Sequence, residues 1–356
     1  MNRIFERLVV FAVALIVFFP TLATAQTEIS ARGATVTIGG RLHVQARTST
    51  VDGAVALDSY VRRARIFVGI EVNDFFEARI LPDFAGGRAT LRDAYVSLKF
   101  DPLFSLSMGQ LKRASDIFAF SSSTQLSIIE RDGEVPGASG CPGGAGGACS
   151  FGSVTRDLLY SGRDMGMRIE GIRGRFSYMG TITNGTGINI PDENASKSFA
   201  GRANFAVKQG LVVSGFVGVH DYLSVGGETG HAEIYGADLE VGEWTEGVHI
   251  QAAIATGENW RVLDTMGEPV SFLTSQVVIT YYFPLSSERW AGVEPLARVS
   301  RTDHDTRGAG DGTWLITPGL SLYVSGRNKI GSNLDIYRSE AGVTKLSLKV
   351  QAFVYF

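Results

Sequence analysis

The chain predicts an all-β fold, a 16-stranded antiparallel transmembrane β-barrel with an inward-folded constriction loop. Three observations lead there. Short segments in which apolar and polar residues alternate recur along nearly the whole chain. An export leader precedes them. The last segment ends on an aromatic residue, Phe356.

The leader comes first. Arg3 and Arg7 precede an apolar run from Leu8 to Phe19, and Ala23-Thr24-Ala25 supplies a small-residue cleavage site. Cleavage before Gln26 makes residues 1–25 a signal peptide and 26–356 the barrel domain. The alternative is a retained anchor helix, but the apolar run is shorter than the roughly 18 residues that a membrane helix needs. No later stretch reaches that length either, so the exported product is a soluble β-protein or a barrel.

The strands follow in order. In Ile38 to Arg47, Leu42, Val44 and Ala46 alternate with Arg41, His43, Gln45 and Arg47. In Arg63 to Val72, Ile66, Val68 and Ile70 alternate with Arg65, Phe67 and Glu71. Glu77 to Phe84 sets Ala78 and Ile80 against Glu77, Arg79 and Asp83. Ala94 to Phe100 sets Val96 and Leu98 against Tyr95, Ser97 and Lys99. Further segments fall at 105–111, 164–172, 175–184, 198–207, 211–220, 231–242, 246–256, 273–283, 290–302, 313–325, 329–338 and 344–356. One face is apolar and the other carries charges of both signs, as expected where one side meets lipid and the other encloses water.

Connections alternate between short, such as Asp101-Pro102 and Arg173-Gly174, and long, such as Thr48 to Ser59 and Gly257 to Phe272. An even strand number places both termini on the short-turn side. The longest connection, about 112–163, leaves the alternation and is the expected constriction loop. It holds Cys141 and Cys149 in CPGGAGGAC. Export to an oxidising compartment predicts a disulfide between them, the alternative being two free thiols.

Charge excludes one class of partner. Lys and Arg number 33 against 36 Asp and Glu, a net charge of -3. This gives no support for nucleic acid binding, so any anion preference must come from local clustering. The five histidines have no metal-ligand spacing, and no GxSxG motif is present. No catalytic residue, metal site or cofactor is expected.

Several motifs, taken in order, resemble the phosphate-selective porin O and P family. They are GGRL (39–42), YVRRARIFVG (60–69), DAYVSLKF (93–100), MGQLKR (108–113), SSSTQLSIIER (121–131) and GRDMGMRIEG (162–171), followed by EPLARVSRTD (294–303) and TPGLSLYVS (317–325). The resemblance implies a homotrimeric channel in the bacterial outer membrane, passing small anionic or hydrophilic solutes. Its pore arginines map onto Arg41, Arg62, Arg63 and Arg131, its constriction acid onto Asp93, and its constriction serines onto Ser122 and Ser123. The sequence departs from the family where a phosphate-binding lysine aligns with Ala119 and a tyrosine with Arg65.

Alternation sends Arg41, Arg63 and Arg65 to the lumen and Arg62 to lipid, unless the strand is bulged there. A lumen ring of guanidinium groups can replace an oxyanion's water with fork-like donors. The same arginines could instead pair with Asp93, Asp83, Glu71 and Glu77 as a structural lattice with little selectivity. The readings are an outer-membrane porin with anion preference, an unselective general porin, and a barrel adhesin or lipid-modifying enzyme.

Overall fold

The computed structural model describes residues 27–31, 33–51, 54–138, 140–142, 144, 147–192, 194–224, 227–308 and 310–356. The predicted signal peptide lies outside the described residues.

Sixteen strands close into an antiparallel barrel, each pairing with its sequence neighbour. They run from β2 (Ala34–Val51), β3 (Ala54–Glu71), β4 (Phe76–Asp83), β5 (Thr90–Asp101), β6 (Phe104–Lys112), β7 (Arg163–Arg173) and β8 (Phe176–Thr183) to β9 (Ser198–Lys208) and β10 (Leu211–Leu223). The ring continues through β11 (Thr229–Glu243), β12 (Glu246–Leu263), β13 (Pro269–Pro284), β14 (Gly292–Asp303), β15 (Thr313–Ser325), β16 (Asn328–Ser339) and β17 (Thr344–Tyr355).

β17 closes the ring on β2, with Tyr355 opposite Arg41 and Lys349 opposite Arg47. Gly40 and Phe356 exchange backbone hydrogen bonds (2.7 and 3.2 Å) at the seam. A Cβ on Gly40 would meet the Phe356 ring at 2.4 Å, so the closure needs glycine there. A short strand that alternation did not anticipate, β1 (Thr27–Ala31), pairs with β2 below the point where β17 ends, with Thr27 opposite Ile38.

The faces have opposite exposure. Leu42 and Val44 are 39% and 42% exposed, while the alternating Arg41, His43 and Gln45 are 7%, 0% and 0% exposed. Charges are covered and apolar side chains are bare, the reverse of a water-soluble sandwich. Aromatic residues gather beside the short turns. Phe75 packs on Phe100 (ring centroids 5.2 Å apart), Phe100 on Phe104 (5.3 Å) and Tyr281 on Phe283 (4.3 Å). Such a band is the interfacial girdle of a membrane barrel.

Two expected long connections prove to be strand. β2 reaches Val51 and β3 starts at Ala54, while β12 reaches Leu263 and β13 starts at Pro269. β2, β3 and β12 are each 18 residues long, against 8 for β4 and β8. A spanning strand needs roughly 9–11 residues. The surplus lengthens the hairpins beyond that requirement, and turn-forming residues such as Asp52-Gly53 and Met266-Gly267 set within these stretches read as long loops in the sequence.

Candidate functional site

Residues 113–162 join β6 to β7 and carry two short helices, α1 (Ile117–Phe120) and α2 (Phe151–Asp157). Each has a capped start. Asp116 accepts from the Ala119 N–H, and Ser150 and Ser153 form a reciprocal capping box. Cys141 and Cys149 are joined by a disulfide and buried.

The apolar side of this segment packs Phe118, Ile128, Phe151, Val154 and Leu158 against Phe216, Ile234, Phe272 and Leu296 of β10, β11, β13 and β14. On that arc the covered face of the barrel is apolar as well, contrary to the expected polar lining. The reason is that it packs against another protein surface rather than water. Polar ties lie on many strands. Ile117 N donates to Asp238 of β11 (3.1 Å) and Phe151 N to Ser300 of β14 (2.9 Å). Trp260 of β12 donates to the Leu158 carbonyl (3.0 Å), and Lys329 of β16 to the Leu126 carbonyl (2.8 Å). Arg298 of β14, fully buried, donates to the carbonyls of Glu130 (2.7 Å) and Arg131 (3.1 Å) and to Asp335 (2.9 Å).

Between this segment and strands β2 to β7 lies a cavity of about 620 Å³. Ten basic side chains and four carboxylates line it. It therefore carries a cationic excess inside a chain whose net charge is -3.

The residues expected from the sequence all reach this region except the cysteines, but with specific partners. Arg41 donates to the Ser123 hydroxyl. Arg65 pairs with Asp83 (2.6 Å) and also reaches Ser123 (3.4 Å). Arg63 contacts His43 (3.2 Å) and Glu130 (3.4 Å). Ser122 accepts from the Thr124 hydroxyl (2.9 Å). Arg131 donates to the carbonyls of Phe118 (2.6 Å) and Ser121 (2.5 Å), so it braces α1. Burial and nearby Arg63 pull its pKa down to about 9, which leaves it charged at neutral pH. Asp93 does not hold the β2–β3 arginines. It accepts both donors of Arg163 (2.6 and 3.2 Å), the first residue of β7.

Arg62 departs from strict alternation through a bulge. His43 lies opposite Arg63 and Val44 opposite Val61, so Arg62 is the extra residue. It lines the cavity and binds Glu130 through Nε and Nη2, the latter at 2.9 Å. A lipid-facing arginine would cost roughly 2–4 kcal/mol at the membrane midplane, and the bulge avoids that cost. Burial alone would raise the Glu130 pKa, but Arg63 and Arg62 outweigh it and hold the carboxylate at about 2.

A second bulge, not anticipated, lies between β4 and β5. Leu81 faces Asp93 and Pro82 faces Leu91, so Arg92 is the extra residue, and it too lines the cavity. Arg79, Lys112, Arg156 and Arg163 complete the basic lining. Alternation placed Arg79 on the polar face, but it gave no signal for Arg92 or for Lys112 and Arg163 at strand ends. Glu130 stands beside Arg131 in the IER motif, and its adjacency to a charged loop arginine was the available clue.

A family model described as phosphate-selective porin O and P matches residues 36–222, just over half of the chain. No curated protein sequence matches it. Among solved structures, the anion-selective porin from Comamonas acidovorans is similar at TM-score 0.64 and 13% identity, covering 90% of this chain and 99% of that one. OmpF of Salmonella typhi in complex with daunomycin gives 0.63 and 15%, covering 93% and 100%. The trimer form of OmpT from Vibrio cholerae gives 0.57 and 15%, covering 91% and 100%. At these identities the likeness is one of fold.

Proposed function

The chain belongs to the phosphate-selective porin O and P family, and from that premise we propose that it is an anion-preferring channel. It is a porin of the bacterial outer membrane, passing small hydrophilic solutes by passive diffusion. Residues 113–162 form the constriction. Bonds from this one segment to β3, β11, β12, β14 and β16, strands on many sides of the closed ring, support that reading. Residues 1–25 act as the export signal. The functional unit is a homotrimer set in outer-membrane lipid, a reading supported by the trimer form of the Vibrio relative. Diffusion requires neither a cofactor nor an energy source.

The observation that carries the anion preference is the lining of the cavity, ten basic side chains against four acids. Guanidinium groups held there attract anions and repel cations while still allowing release. An unselective channel is the second reading, favoured by the pairing of Asp83, Asp93 and Glu130 with lining arginines. Enzyme chemistry is not part of the proposal. Ser198 meets His220 Nδ1 at 3.1 Å, but Asp221 accepts from the serine hydroxyl rather than orienting the imidazole, so no triad is formed.

The purified protein in a planar bilayer under a KCl gradient tests this. A reversal potential of chloride-selective sign is expected. A potassium-selective sign would defeat the anion reading, and a protein that does not conduct would defeat the channel reading.

A further inference from the structure

We propose that the solute path of this channel has a second chamber on the short-turn side of α1, and that the ring of Phe120 divides it from the basic cavity and sets the size of solute that crosses. The inference rests on the channel reading above and assigns its size limit to one side chain.

The second chamber, about 290 Å³, lies against β8 to β11. Its wall residues Ser177, Met179, Val212, Ser214 and Glu240 stand within a few residues of the short turns that join these strands. Its opposite side is made by Ile117, Phe120 and Ser121. Among the described residues, Phe120 is the one that lines both this chamber and the basic cavity. Ser121 lines the chamber and Ser122 the basic cavity, so the boundary between the two falls at the end of α1.

The two spaces differ in charge. Ten basic side chains and four carboxylates line the first, whereas Arg202 and Glu240 are one base and one acid in the second. Both are engaged. Arg202 donates to the two oxygens of Asp238 (2.5 and 2.7 Å), and Glu240 accepts from Gln251 (2.9 Å). The second chamber therefore offers a balanced, hydrogen-bonding surface, and selection by sign stays with the basic cavity. What the boundary adds is a steric limit.

The ring at that boundary is held from several directions. The Phe120 N–H donates to the Asp116 carbonyl (2.9 Å). Lys112 donates to the carbonyls of Ala119 (3.1 Å), Phe120 and Ser121 (2.8 Å), the unpaired acceptors at the end of a helix. The same ammonium lies 5.5 Å from the centre of the Phe120 ring. Two residues earlier, Phe118 is buried in the apolar contact with the barrel wall and anchors the helix. Phe120 itself stays partly exposed. A large apolar ring bared in a polar lumen is not there for burial, and one fixed at both backbone and face acts as a rigid partition.

The test uses the full-length protein in liposomes, with swelling rates in the uncharged sugars arabinose, glucose and sucrose, and the reversal potential in a KCl gradient measured beside them. Phe120→Ala should raise the sucrose rate several-fold relative to arabinose. Phe120→Trp should lower the glucose rate relative to arabinose. Both should keep the wild-type reversal potential, because the basic lining is untouched. Opposite shifts separate a partition from a loosened segment, which would widen the path in either variant. The wild-type sugar ranking in Phe120→Ala would overturn the assignment. Shifts of the same direction in the two variants, or a changed reversal potential in Phe120→Ala, would overturn it as well. A wild type that does not admit arabinose would instead overturn the channel reading on which it rests.

Discussion

Two bulges in this barrel use the same device with different results. Each inserts one residue into a strand, and in each the extra residue is an arginine turned from lipid to the cavity. Arg62 on β3 meets Glu130 from the constriction segment, whereas Arg92 on β5 meets no carboxylate among the described residues. The difference teaches that a basic lining is not the same as a basic surface. A guanidinium bound to a buried carboxylate ties residues 113–162 to the wall, and Arg92 makes no such tie. The count of arginines in a pore is therefore a poor guide to selectivity until the partners are known.

The contrast depends on Glu130 staying within reach of β3, and Arg298 holds its backbone there. Arg298→Ala should have the largest effect. It removes one of the two buried cationic partners of Asp335, Lys349 being the other, and two ties to residues 113–162, at a cost of about 1.5–3 kcal/mol. Thermal unfolding followed by circular dichroism should show the drop, and single-channel conductance should rise as the segment loosens. Unchanged conductance would separate the segment's position from Arg298.

Acid should erase the contrast more gently. The Glu130 pKa is depressed, so its tie is complete above the ordinary carboxylate range and is lost as pH falls towards about 2. Its contribution to stability falls between about pH 4.5 and 2, but in the folded channel the carboxyl protonates and releases Arg62 and Arg63 only as pH approaches about 2, where chloride preference should grow. The reversal potential against pH reads this, and Glu130→Gln should flatten the curve.

The disulfide bears least on the contrast. Cys141 and Cys149 lie by β12 and β15, through Asn259 to the Pro142 carbonyl (3.1 Å) and Thr313 to the Cys149 carbonyl (2.9 Å). Replacing both by serine should cost no more than about 2–3 kcal/mol and leave selectivity unchanged. A changed reversal potential in that variant would mean that the arginines and the disulfide hairpin are coupled.

Much of the wall was legible because period-two alternation is local. Leu42 and Arg41 disclose their faces within a few residues, whereas the seam of Gly40 with Phe356 appears only on closure. What was not legible depends on pairing across strands. Nothing within TLRDAYV states that Arg92 is the extra residue, because the bulge exists only relative to Leu81 and Pro82. Arg62 was marked only as an exception to its own pattern. The apolar arc under the constriction was faintly visible, since Phe216 and Val217 are both apolar on opposite faces of β10. That Glu130 neutralises Arg62 and Arg63 is a contact across more than sixty residues, which no spacing within one strand could reveal.

Glu130 neutralises Arg62 and Arg63 of β3, and a double-mutant cycle addresses this most directly. The chloride-to-potassium permeability ratio would be measured for the wild type, Arg62→Gln, Glu130→Gln and the double variant. Arg62→Gln should change the ratio little in the wild type and lower it markedly once Glu130 is gone. An equal effect of Arg62→Gln in both backgrounds would contradict the account.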